Sequence, residues 1–136
     1  MILKSFEINK INLTISNLIL FYGKNEGLKI EALDILIKNK KIISYYEEKE
    51  ILDNENSFIE TILSKSLFEP QKFIFIKRAT DKILKMIENL HQKNLEETTI
   101  ILNSESLEKK SKLRSFFEKN KTLVCVPFYP DNDQTL

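Results

Sequence analysis

Five short runs of continuously apolar residues constrain this chain more than any other feature. They are LILFY (18–22), KIISYY (41–46), KFIFIK (72–77), TTIILN (98–103) and TLVCVPF (122–128). A strand with one wet face alternates apolar and polar side chains. A run that does not alternate must be covered on both faces, the condition of a parallel sheet between two layers of helices. The segments between the runs carry helical spacing. In 27–39, Leu28, Ala32, Leu33 and Leu36 form a stripe that Ile30 and Ile37 widen. Phe58, Ile59, Ile62 and Leu63 form a second stripe, and Ile83, Leu84, Ile87 and Leu90 a third, with Thr80 as its N-cap. The stretch SLEKKSKLRSFFEKN after the fourth run reads as a further helix. The expected fold is a three-layer α/β/α domain on a five-stranded, mostly parallel sheet.

The rest of the chain bounds the answer. Its 136 residues suit one domain with a sizeable core. Residues 1–127 read as that domain, with the first sixteen an extended or short helical lead-in. The polar end after Pro127, residues 128–136, reads as a linker toward a further domain. Twenty-one basic against 20 acidic residues leave a formal charge of +1, which gives no broad footprint for nucleic acid or an anionic membrane. Cys125 sits in an apolar run, and the single histidine, His91, lies in an unrelated amphipathic stretch. No disulfide framework, Cys/His metal site or Cys–His nucleophile can be built from them. Without a long apolar span or a signal-peptide pattern at the start, the expectation is a cytoplasmic protein.

In a parallel α/β sheet, ligands bind at the carboxyl ends of the strands. After the first run comes GKNEGLKI. A phosphate-binding loop reads G-x-x-x-x-G-K-[ST], so that backbone N–H groups, a lysine and a hydroxyl surround the phosphates and magnesium. Here Gly23 and Gly27 are one residue too close, Lys29 stands one place late, and Ile30 replaces the hydroxyl. The motif is a degenerate P-loop, and a plain strand-to-helix turn with Gly27 at the helix start is the simpler reading. The third run ends in Lys77 and Arg78, a solvated strand end, where a magnesium NTPase would place an acid. Asp81 follows too late and suits a helix's first turn. Ser104 reads as a cap or turn residue, and the pairs Glu47–Glu48 and Glu96–Glu97 as solvated loop acids. Catalytic residues, cofactor and metal are all expected to be absent. The alternative is an atypical AAA+ or P-loop ATPase.

The stretch SKSLFEP (64–70) poses a separate question. Continuing the second helix puts Ser66 on the buried stripe, with Leu67 about 110° and Phe68 about 150° from its centre. Glu69, preceding Pro70, is pushed out of helical geometry. On periodicity alone, burial under the next strand and exposure to a partner both stay open.

Taken in order, LILFYGKNEGLKIEA, a helix ending in SLF, KFIFIK, TIILNSESLEKKSKLRSFFEK and CVPFYPDNDQTL resemble the N-terminal domain of the delta subunit of bacterial DNA polymerase III. The resemblance implies an AAA+ fold whose degenerate P-loop binds no ATP, in a clamp-loader subunit that binds and helps open the sliding clamp. It implies that Leu67 and Phe68 enter a pocket on the clamp from a helix end that also carries Ile62, Lys65 and Ser66. The implied partners are the sliding clamp and sister clamp-loader subunits, with DNA met only through the assembled loader, and no membrane. A lid domain would follow residue 136, and this domain alone would be monomeric and non-catalytic.

Overall fold

The computed structural model describes residues 1–13, 17–37, 43–63, 72–93 and 98–129. Five strands, β1 (Leu18–Gly23), β2 (Ile43–Glu47), β3 (Lys72–Lys77), β4 (Thr98–Asn103) and β5 (Val124–Phe128), form one sheet in the order β2-β3-β4-β1-β5. Every pairing is parallel. The fold class expected from the apolar runs is the one observed.

β1 shows why those runs do not alternate. Ile19 and Phe21 pack on one face with Phe75, Ile101, Val124, Val126 and Phe128. Leu18, Leu20 and Tyr22 pack on the other with Ile74, Ile76, Ile100, Leu102 and Cys125. The first face is covered by α1 (Glu26–Ile37), through Ala32, Leu33 and Leu36, and by Ile8 of a 3-10 helix, Ser5–Lys10. The second is covered by α2 (Glu48–Asp53), α3 (Glu55–Leu63), α4 (Leu84–Gln92) and α5 (Lys112–Lys119). Helices after neighbouring β1 and β4 therefore lie on opposite faces. That arrangement opens a crevice at the carboxyl ends of these two strands.

Several local expectations needed correction. α1 begins at Glu26, one residue before Gly27, because Asn25 caps it: the Asn25 side-chain oxygen accepts from the Leu28 N–H at 3.1 Å. Ile30 does not widen the buried stripe but stands 60% exposed. α5 is half the expected length, since Ser111 caps it and accepts from the Arg114 N–H, so Ser106–Lys110 precede the helix. Leu63, expected on the buried stripe of α3, is 42% exposed. Glu48 is not a solvated loop acid. It is buried, accepting from the Thr80 N–H at 2.6 Å and the Thr80 hydroxyl at 2.8 Å. Glu96–Glu97 lie outside the described residues.

The N-terminus is tied to the sheet. Ile2 bridges Cys125 in parallel, and the Met1 ammonium donates to the carbonyls of Phe117, Asn120 and Leu123 at 2.8–2.9 Å. A cation is thereby set on the carbonyl end of α5, where the helix dipole favours it. Among the described residues no helix is long and apolar enough to cross a membrane.

Candidate functional site

The crevice between the ends of β1 and β4 is lined by polar groups that bond largely to one another, beneath an open cavity of about 430 Å³ bordered by Glu26, Lys29, Asn103, Ser104 and Glu105. Gly23 has φ +115°, and a Cβ on it would overlap the Phe128 backbone carbonyl of β5. Glycine is required here because another strand's backbone lies against it. Its N–H donates to the Glu105 carbonyl at 3.0 Å. The Asn25 carbonyl accepts from the Lys29 N–H at 3.1 Å, and its side-chain amide donates to the Tyr129 carbonyl at 2.9 Å. The donors that would surround a phosphate in a P-loop are thus largely engaged within the protein. A Cβ on Gly27 would meet only the Asn25 side-chain oxygen, at an ordinary contact distance of 3.7 Å, so nothing there requires glycine.

Lys29 belongs to the same hydrogen-bonded network. Its side chain is 2% exposed, and its ammonium donates to the Ser104 carbonyl at 2.9 Å and to Glu26 at 3.2 Å. Standing one residue later than a P-loop lysine, it turns beneath the helix toward β4. Ser104, at the end of that strand, is itself buried and donates through its hydroxyl to the Ala79 carbonyl at 2.7 Å. The Ser104 N–H reaches the Phe21 carbonyl, and the Ala79 N–H the Asn103 carbonyl. One polar chain therefore links the ends of β1, β4 and β3. Gly23, Lys29 and Ser104 are brought together in it, while Gly27 stands apart on the first turn of α1.

The end of β3 is basic and wet, as expected. Lys77 and Arg78 are exposed, Lys77 lies over the Tyr45 ring at 5.3 Å, and Arg78 faces Glu47 at 3.5 Å. Arg78 also holds φ +56°, uncommon for a residue with a side chain. Asp81 does stand in a first helical turn, but its carboxylate serves a different helix. It accepts from the Ser111 hydroxyl at 2.6 Å and from the Lys112 and Leu113 N–H groups at 3.2 Å. These bonds, the Ser111 hydroxyl foremost, hold its pKa below the usual aspartate value. Cys125 is buried, which pushes its thiol up to about 12 and leaves it un-ionised at neutral pH.

The helix that carries the SLF step is α3. Phe58 and Ile62 are buried in the core, with Phe58 edge-on to Tyr46 at 5.1 Å between centroids. Ile62 is only 5% exposed, so its side chain is engaged beneath the helix. Lys65, Ser66, Leu67 and Phe68 lie outside the described residues, which resume at Lys72. The residues that reading the sequence missed are Asn25, Glu48 and the role of Asp81. Asn25 carried a signal, an N-cap type just ahead of an apolar-periodic run. The partners of the other two lie about thirty residues away.

The solved structures give this geometry its relatives. The chain is similar to the Bacillus subtilis DNA clamp loader delta protein (YqeN), with a TM-score of 0.70 at 15% identity over 96% of this chain. It is also similar to Saccharomyces cerevisiae RIF2, with a TM-score of 0.56 at 14% identity over 93% of this chain. The chain spans 44% of the first protein and 53% of the second. No protein-family model matches the sequence, and no curated protein matches it. At these identities the likeness establishes a shared fold, that of the clamp loader delta protein.

Proposed function

We propose that this chain is a delta-type clamp-loader domain, a non-catalytic module of the replication machinery that binds the sliding clamp and helps open it. The observation that carries the reading is the shared fold with a clamp loader delta protein across nearly the whole chain. The crevice supports it, since Lys29 and the β1–α1 turn are engaged internally rather than offered to a nucleotide. In this reading Leu67 and Phe68 are the anchors that enter a pocket on the clamp, and Lys65 and Ser66 border them. Ile62 contributes from the core by holding α3 in place. Phe128 closes β5 rather than opening the linker, so the residues after it lead toward a lid domain, and sister loader subunits join the full-length protein.

The mechanism is mechanical. A ligand shifts an equilibrium only by its differential affinity, so the domain need only bind the opened or strained ring more tightly than the closed one. Each buried anchor contributes about 1.5–3 kcal/mol. Leu67→Ala/Phe68→Ala should therefore weaken binding of the cognate beta clamp by about 3 kcal/mol or more, upward of a hundredfold. Calorimetric titration of wild type and double variant against the clamp measures this, with melting curves alongside. Loss of binding at an unchanged melting temperature supports the assignment. A large fall in melting temperature would mean that the pair is core, and the site would be lost. Micromolar binding of ATP with magnesium would overturn the non-catalytic reading.

A further inference from the structure

We propose that the open cavity over the ends of β2, β3 and β4 binds a free α-amino acid with a large apolar side chain. The cavity lies on the α1 face of the sheet, opposite α3, and a ligand there is independent of the clamp reading.

The register of the sheet sets the groups in place. β3 and β4 pair through Phe75–Ile101 and Ile76–Leu102, so the next pair is Lys77 beside Asn103, on the α1 face. Phe75 lies on that face two residues earlier, paired with Tyr45 of β2. Neighbouring strands are about 4.8 Å apart, and residues two apart along a strand about 6.7 Å. A cation and a side-chain amide thus stand side by side at the strand ends, one row beyond an aromatic pair. The Lys77 ammonium lies over the Tyr45 ring at 5.3 Å, and Ile30 and Leu33 of α1 line the same cavity of about 430 Å³.

Two observations distinguish this cavity from a dent in the surface. The Asn103 side-chain oxygen is buried and, among the described residues, is the one such polar atom without a hydrogen-bond partner. Asn103 lines the cavity, and its χ2 is a broad torsion that can turn this oxygen to a donor arriving there. Arg78, at the rim, is held at φ +56°, a backbone strain that glycine would avoid. The Ala79 N–H bond to the Asn103 carbonyl and the Ser104 hydroxyl bond to the Ala79 carbonyl fix that conformation, with the Arg78 side chain 85% exposed.

The charges sort by strand. Lys77 and Arg78 end β3. Glu105 follows β4, and Glu26 is tied through Lys29 to Ser104 at the same strand end. An α-amino acid carries the complementary set on one carbon. Its carboxylate answers Lys77 and Arg78, its ammonium answers Asn103, Glu26 and Glu105, and its side chain reaches the Tyr45–Phe75 row. A phosphorylated ligand is disfavoured, since Glu26, Glu105 and Asp34 on the cavity wall outnumber the two outward cations.

The probe is L-phenylalanine, titrated into isotope-labelled protein while backbone amide shifts are followed. Two half-ligands run alongside: 3-phenylpropionate, which lacks the ammonium, and 2-phenylethylamine, which lacks the carboxylate. The expected result is saturable shifts at residues 45, 75–79 and 103–105, with each half-ligand bound about tenfold more weakly or worse. Arg78→Gly should weaken phenylalanine about tenfold and leave 2-phenylethylamine unchanged, without lowering the melting temperature, because glycine suits the backbone there. Asn103→Leu removes an oxygen that bonds nothing, so it should also keep the melting temperature while weakening phenylalanine more than 3-phenylpropionate. Unmoved amides at the ends of β3 and β4 at millimolar phenylalanine would overturn the proposal. So would a half-ligand bound as tightly as the amino acid, or an Arg78→Gly protein that loses amine and amino acid alike.

Discussion

Gly23→Ala separates two explanations of the turn after β1. If Gly23 is a glycine because a phosphate once needed room, alanine should be tolerated by the fold. If it is a glycine because β5 lies against it, alanine should be costly. Residue 23 holds φ +115°, outside the range L side chains adopt, and the new Cβ would meet the Phe128 carbonyl, a backbone atom of a paired strand. That atom can yield only if the last pair of the β1–β5 ladder opens. The backbone strain costs about 1–2 kcal/mol. Opening the pair loses a ladder hydrogen bond between β1 and β5, about 1 kcal/mol. It also disturbs the edge-to-face contact of Phe21 and Phe128 at 4.9 Å, about 0.5–1.5 kcal/mol. The expected loss is about 3–4 kcal/mol, roughly 10–15 °C in melting temperature for a chain of this size. Gly27→Ala is the control. Its Cβ would meet only the Asn25 side-chain oxygen at 3.7 Å, so alanine in the first turn of α1 should be neutral or stabilising by up to about 1 kcal/mol. Thermal and urea unfolding of both variants measure the difference. A Gly23→Ala protein within about 0.5 kcal/mol of wild type would refute the close-approach explanation.

Other outcomes follow from burial and pairing. Ile62→Ala should cost about 2–4 kcal/mol and Leu63→Ala below about 1, because Ile62 is 5% and Leu63 42% exposed; urea unfolding compares them. Asp81→Ala removes an acceptor from the first turn of α5 and should cost about 1–2 kcal/mol. Because Asp81 titrates below its unfolded value near 3.8, its contribution is complete above that pH and fades as pH falls through the folded pKa. Acid unfolding of wild type should therefore show a stability loss below about pH 4 that Asp81→Ala lacks. Cys125, with its thiol at about 12, should resist a maleimide at pH 8 in the folded protein and react at once in denaturant.

The sheet was legible because burial on both faces writes itself into sequence as an unbroken apolar run. β4 matches its run residue for residue, and β5 is shortened only at its start. Helix lengths were less legible where side chains compete with the backbone. The stretch before α5 is rich in helix-compatible lysine and glutamate, yet Ser111 and Asp81 fix the helix start from outside it. Ile30 shows the limit of an apolar stripe, since periodicity cannot say how wide a face the sheet covers. At the candidate site, the faults in the P-loop pattern were visible in spacing alone. The reuse of Lys29 as an internal link was not, because its acceptor on Ser104 lies 75 residues away.

That internal link bears on what the crevice can still bind. Three strand ends are joined by hydrogen bonds through Ser104, and the Lys29 ammonium is seated among them. Removing an ammonium from water costs several kcal/mol, and the Ser104 carbonyl and Glu26 offset it only while the geometry holds. A phosphate entering the turn would have to displace these acceptors and the Glu105 carbonyl, exchanging one hydrogen bond for another of similar strength. The net gain from such an exchange is small, about 1 kcal/mol per bond at most, whereas a loop with unengaged donors keeps the whole of each interaction. The lysine that would draw a nucleotide in an ordinary P-loop therefore opposes one here. Recognition by this fold is favoured at groups still turned outward, such as Ile30, Tyr45, Lys77 and Arg78.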